Sequence, residues 1–109
     1  ATKNLPLSWT RADEWYNYKN INPDIKVLIN LEEDSYSGGT NGANHPIAWY
    51  HESLGGRAFY TGGGHTEASF EEATFLDHLS GGIAIASEGI NPGVNRRQGA
   101  IFVYLFTPL

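Results

Sequence analysis

The stretch YTGGGHTEASFEE, residues 60 to 72, sets three glycines, a histidine and a run of acids directly behind a segment of strand composition. Imidazole is the side chain whose charge changes nearest neutral pH, so His65 has the chemistry of a general base or a ligand group. A strand that ends in glycines and leads into a helix puts His65 at the carboxyl edge of a sheet. There, beside the positive end of a helix dipole, α/β proteins build catalytic and anion-binding sites. The same residues also serve a tight strand-to-helix turn, with the glycines admitting the bend and His65 bonding to a nearby carbonyl. The bare spacing leaves both readings open.

Other residues with chemical potential are weaker signals. Glu32, Glu33 and Asp34 supply oxygen ligands for a hard cation only in a pattern this loop lacks, and they read as solvated acids. His45 and His51 fall near one strand face without a third ligand at metal spacing and read as structural. His78 lies in a helical stretch and reads as a surface or edge residue. Trp9, Trp15 and Trp49 have the ring faces to stack on a sugar, but in a small domain large rings are more often core.

Composition bounds what must position these groups. A chain of 109 residues, 40% hydrophobic and 13% aromatic, makes one small domain with one modest core. A net charge of −5 and seven scattered Lys and Arg residues argue against nucleic acid and anionic lipid and leave a neutral or cationic small molecule as the easier partner. The absence of cysteine removes disulfides, thiolate metal sites and a Cys nucleophile, yet leaves a bacterial cytoplasm and a secreted or periplasmic location equally open. The longest apolar run, GAIFVYLF at 99 to 106, is too short to cross a bilayer.

Along the chain, SWTRADEWYNYKNINPD reads as a loop with at most a helical turn, closed by Asn22-Pro23-Asp24. IKVLINL, from Ile25, is a continuous apolar run of strand length and predicts a central strand covered on both faces. A glycine-rich surface loop follows, and IAWYHES and RAFYTG then flank Leu54-Gly55-Gly56 as a β-hairpin. Ser69 and Glu72 fit a capping box. Phe75, Leu76, Leu79, Gly82, Ile83 and Ala86 recur at helical spacing, which predicts a helix from about Phe70 to Ala86 or Ser87. EGINPGVNRRQG reads as a turn-rich linker and AIFVYLF as a strand.

Taken together, DEWYNY, HPIAWYHE, GGRAFYTGGGHT and FLDHLSGGI resemble the C-terminal half of a ThuA-like (trehalose utilisation) domain, from about Trp9 to Ser87. The resemblance implies a class I glutamine amidotransferase-like fold, a flavodoxin-like three-layer α/β sandwich of which this chain holds a part, and a link to the metabolism of trehalose or a related sugar. It makes His65 a candidate catalytic base and Glu67, in His65-Thr66-Glu67, its orienting acid. It further places Asp13, Glu14, Trp15, Tyr16, His45, Gly64 and Thr66 among the residues that would bind a sugar derivative. For Asp13 to Tyr16 an ordinary solvated turn with an aromatic lid stays open. With no cysteine in the chain, glutamine hydrolysis is not expected of it, and neither cofactor nor metal is named.

The departures from the family pattern also carry expectations. Residues 1–89 read as the half-domain and 90–109 as a divergent tail with a possible strand. A doubly wound sheet needs more βαβ units than this length allows, so a missing N-terminal half or a homo-oligomer is expected, with Ala100 to Phe106 in the contact. The alternatives are a non-catalytic carbohydrate-binding module and a structural subunit that assembles through exposed sheet edges.

Overall fold

The computed structural model describes residues 2–88 and the strand at 101–104. The strands are β1 (Ser8–Thr10), β2 (Lys26–Leu31), β3 (Pro46–His51), β4 (Ala58–Thr61) and β5 (Ile101–Tyr104), and one helix, α1 (Ala73–Glu88), follows β4. Short 3₁₀ turns occupy Glu33–Ser35 and Glu67–Glu71. The sheet has five strands in the order β1-β5-β2-β3-β4. It is mixed: β5 runs parallel to β1 and β2, while β2, β3 and β4 form an antiparallel meander. The class is therefore mixed α/β. The expected linker and the ends of the C-terminal apolar segment, including Ala100 and Phe106, lie outside the described residues.

β2 stands in the middle of the sheet, and the consecutive burial of Leu28 and Ile29 requires cover on both faces. On one face α1 supplies it, setting Phe75 and Ile85 into a cluster with Leu28, Ile29, Leu31, Ile47 and Ala48. On the other, loop aromatics do: Tyr18 meets the edge of Trp49 at 5.3 Å, and Trp49 stacks on its register partner Tyr60 at 4.3 Å. Aromatic side chains, one of them from an irregular segment, here take the place of a second helix layer.

Three local expectations are corrected. Ser8–Thr10, placed in a loop by its sequence, is a strand, since its pairing partner β5 lies at the far end of the chain. Ser69 does not cap the helix. Thr66 caps the preceding 3₁₀ turn by accepting from the Ser69 amide, and Ser69 is buried inside it. Finally, His78 is 1% exposed and points inward. The helix thus buries Phe75, His78, Gly82 and Ile85, and turns Leu76 and Ile83 outward. The apolar count put the buried face out of phase by treating a core histidine as polar surface. His78 Nε2 meets Thr61 Oγ1 at 3.1 Å, so its polarity is satisfied across to β4.

Gly82 is where α1 meets the sheet most closely: a Cβ there would land on the Phe59 ring. Gly82→Ala gains about 1 kcal/mol of helix propensity, but overpacking a core contact costs about 1–3 kcal/mol. A net loss of stability is expected in urea denaturation; a more stable variant would contradict this packing.

Candidate functional site

The site begins with one buried carboxylate. Asp13, 1% exposed, lies on the irregular segment after β1. Its Oδ1 accepts from the amides of Glu14 at 2.8 Å and His65 at 2.9 Å, and its Oδ2 accepts from the Gly64 amide at 2.6 Å and from Arg11. Four donors fill the acceptor sites of a carboxylate, so Asp13 is wholly engaged in holding the β4–α1 turn against the end of β1. Burial opposes its ionisation, but the amides of Gly64, His65 and Glu14, with Arg11, outweigh it and hold the carboxyl below its usual range.

Arg11 extends the network. Its Nη2 donates to Ser69 Oγ at 2.8 Å and its Nε to Glu72 at 3.0 Å, while the other Glu72 oxygen accepts from Trp9 Nε1 at 2.8 Å. The guanidinium also lies 4.7 Å from the Phe75 ring centroid and 5.1 Å from that of Trp9. Gly64 completes the turn with φ +99°, a left-handed backbone that favours glycine, and a Cβ there would come 2.9 Å from Phe75.

What this frame presents to solvent is His65. Its Nδ1 lies 2.8 Å from Glu14 Oε2, with the two side chains 51% and 46% exposed. Burial and the charges of Glu14 and Asp13 raise the pKa of the neighbouring Tyr16 phenol. An exposed pair of this kind is worth about 0–1 kcal/mol, so it adds little to the fold. Thr66 caps the turn that follows. Glu67 opens that turn with an exposed side chain, and the acid beside the His65 ring is Glu14. The sequence candidates Asp13, Glu14, Tyr16, Gly64, His65 and Thr66 therefore meet in one place.

His45 lies beneath them, fully buried. Its Nε2 donates to the Tyr16 carbonyl at 2.8 Å and its Nδ1 faces Glu33 Oε2 at 2.5 Å. Glu33, expected to be a solvated acid, is instead a hub. Despite the opposing effect of burial, the amide of Asn41 and the His45 ring hold its carboxyl below the usual range. Nearby, burial and the Glu33 charge push the Tyr36 hydroxyl up to about 12. Burial and the bond to Tyr60 raise Tyr18 further. Trp15 is half-buried, lines a cavity of about 10 Å³ with Arg11 and Gly63, and has an indole N–H without a hydrogen-bond partner among the described residues. Among the described residues no three His, Cys, Asp or Glu side chains form a group able to hold a metal ion.

Residues 1–86 match the family model ThuA, described as trehalose utilisation. The chain belongs to the ThuA family. Neither a curated protein nor a solved structure matches it. The ThuA match spans β1 to β4 and nearly all of α1, and so contains every residue of the Asp13 and His65 network. Sequence reasoning missed Arg11, Ser69 and Glu72 as its supports. An Arg two residues before an acid is a faint signal for Arg11, and Ser69 and Glu72 read as a capping box rather than as its partners.

Two outcomes follow from Asp13. Removing one partner of a buried ion pair costs about 3–5 kcal/mol, so Asp13→Asn should lose stability on that scale in urea denaturation. The folded pKa of Asp13 lies below its unfolded value of about 3.9. Its stabilisation is therefore complete above that value and is lost as pH falls through the lower folded one. The wild-type urea midpoint should drop on acidification across that window, and Asp13→Asn should show a flatter profile; identical pH profiles would refute the assignment.

Proposed function

We propose that this ThuA-family chain binds, and takes part in processing, a sugar derivative at the exposed edge formed by His65, Glu14 and Tyr16. The observation that carries the reading is the 2.8 Å contact between His65 Nδ1 and Glu14 Oε2. A carboxylate only accepts, so the proton between them sits on Nδ1, and the neutral ring keeps its lone pair on Nε2. Nε2 then suits general acid–base work on a hydroxyl or an activated C–H of the ligand. The exposed Tyr16 phenol adds a hydrogen-bonding wall. The family's link to trehalose utilisation supports a sugar as the ligand class, and the absence of cysteine argues against glutamine hydrolysis by this chain alone. In this reading the mixed sheet and α1 are part of a flavodoxin-like, amidotransferase-like sandwich, and Glu67 is a further ligand-side carboxylate on the same turn.

Calorimetry with trehalose and its component glucose tests the site. His65→Ala should weaken binding at least tenfold, about 1.4 kcal/mol, while its urea midpoint stays near that of wild type. Equal binding by the two proteins, or none by the wild type, would sink the reading.

A second reading, assembly through a sheet edge with another copy or a complementary half-domain, rests on β4. Among the described residues it is an outer strand whose sheet neighbour is β3, and a 490 Å³ groove between it and α1 is lined by Phe59, Leu79, Gly82 and Ile83. Light scattering showing a monomer at micromolar concentration would remove it.

A further inference from the structure

The segment from Arg11 to Tyr18 contains neither helix nor strand, so its backbone groups must find partners elsewhere. They find them on the loop between β2 and β3. Asn41 pairs with both the amide and the carbonyl of Tyr18 at 3.0 Å, and Asn17 accepts from the Thr40 amide and donates to the Gly38 carbonyl. The deepest of these ties is His45. Its own carbonyl accepts from the Leu31 amide at 2.8 Å, which fixes it to the central strand, and its ring is fully buried. Both ring nitrogens are engaged, one by Tyr16 and the other by Glu33.

This puts a rigid donor under the segment that bears the exposed acid. Glu14 is pinned from one side by its amide on Asp13, and two residues later the Tyr16 carbonyl is pinned by His45. Between these anchors the Glu14 carboxylate reaches the His65 ring. We infer that His45 is a positioning residue for the His65 and Glu14 pair: it holds Tyr16 so that Glu14 stays on Nδ1 and Nε2 of His65 stays free. The inference rests on the reading of His65 as the acid–base group. It assigns His45, a substrate-binding candidate by resemblance, a place where no ligand reaches it.

A core histidine that merely satisfies its polar atoms would, when replaced, lower stability and leave the His65 ring of the folded molecules unchanged. Long-range ¹H–¹⁵N correlation spectra of the labelled chain read the two nitrogens of that ring directly, without ligand. In wild type the neutral ring should carry its proton on Nδ1, and Glu14→Ala should lose that preference. His45→Phe, shown folded by a dispersed amide spectrum, should lose it as well, and His45→Gln, whose amide can still donate to Tyr16, should regain it. His45→Asn, polar but one methylene shorter than Gln and too short to reach the Tyr16 carbonyl, should lose the Nδ1-protonated form. A folded His45→Phe with the wild-type tautomer overturns the inference; so does the wild-type tautomer in a folded His45→Asn, which decides the matter if His45→Phe does not fold. Because no sugar enters the measurement, this failure is distinct from a failure of sugar binding in calorimetry.

Discussion

The structure turns on the carboxylate of Asp13. A buried acid in a chain with one small core is costly unless every lone pair is met, and here four donors meet them. Those donors come from two distant parts of the chain, the exit of β1 and the turn after β4. Satisfying one charge therefore also fixes where the two segments lie. Arg11 answers the charge and passes the constraint to Ser69 and Glu72 at the start of α1. The exposed His65 is the product of this arrangement rather than a contributor to it: its backbone amide is bound and its ring is left outside.

The two faces of the sheet are closed by different means. The helix closes one with an ordinary apolar stripe, interrupted by His78 where β4 offers Thr61 as a partner. The other is closed by Tyr18, Trp49 and Tyr60, whose rings meet edge to face or stacked and whose phenol groups bond to one another. An aromatic lid of this kind tolerates polar neighbours that a helix face would not. The segment from Asp13 to Tyr18 can for that reason be core-forming at Tyr18 and solvent-facing at Glu14 and Tyr16.

What the sequence disclosed follows from the range of the forces involved. The hairpin was legible because Leu54-Gly55-Gly56 is a local signal, and β2 because its apolar run is continuous. The helix was legible in extent but not in phase, since one buried histidine mimics a surface position. β1 left no trace, being three residues long and paired, among the described residues, with a strand about ninety positions further along the chain. The site came through as two separate clusters, 13 to 16 and 64 to 67, joined by family resemblance alone. Their union depends on hydrogen bonds across the fold, and no periodicity records those. Glu33 with His45, and Glu14 with His65, were invisible for the same reason. Glu67, near His65 in sequence, was the natural acid to name, yet the chain brings a different one to the ring.

The insertion of β5 between β1 and β2 also bears on how the molecule is made. Among the described strands β1 emerges first from the ribosome and β5 last, and β5 is the one of them that β1 pairs with. The meander β2-β3-β4 can pair as it is synthesised, since its strands follow one another in the chain, whereas β1 must wait for β5. Such long-range closure is slow. Until it occurs, the edge of β2 that β5 covers stays open in the nascent chain, and β1, although made earlier than the other described strands, is the last of them to be secured.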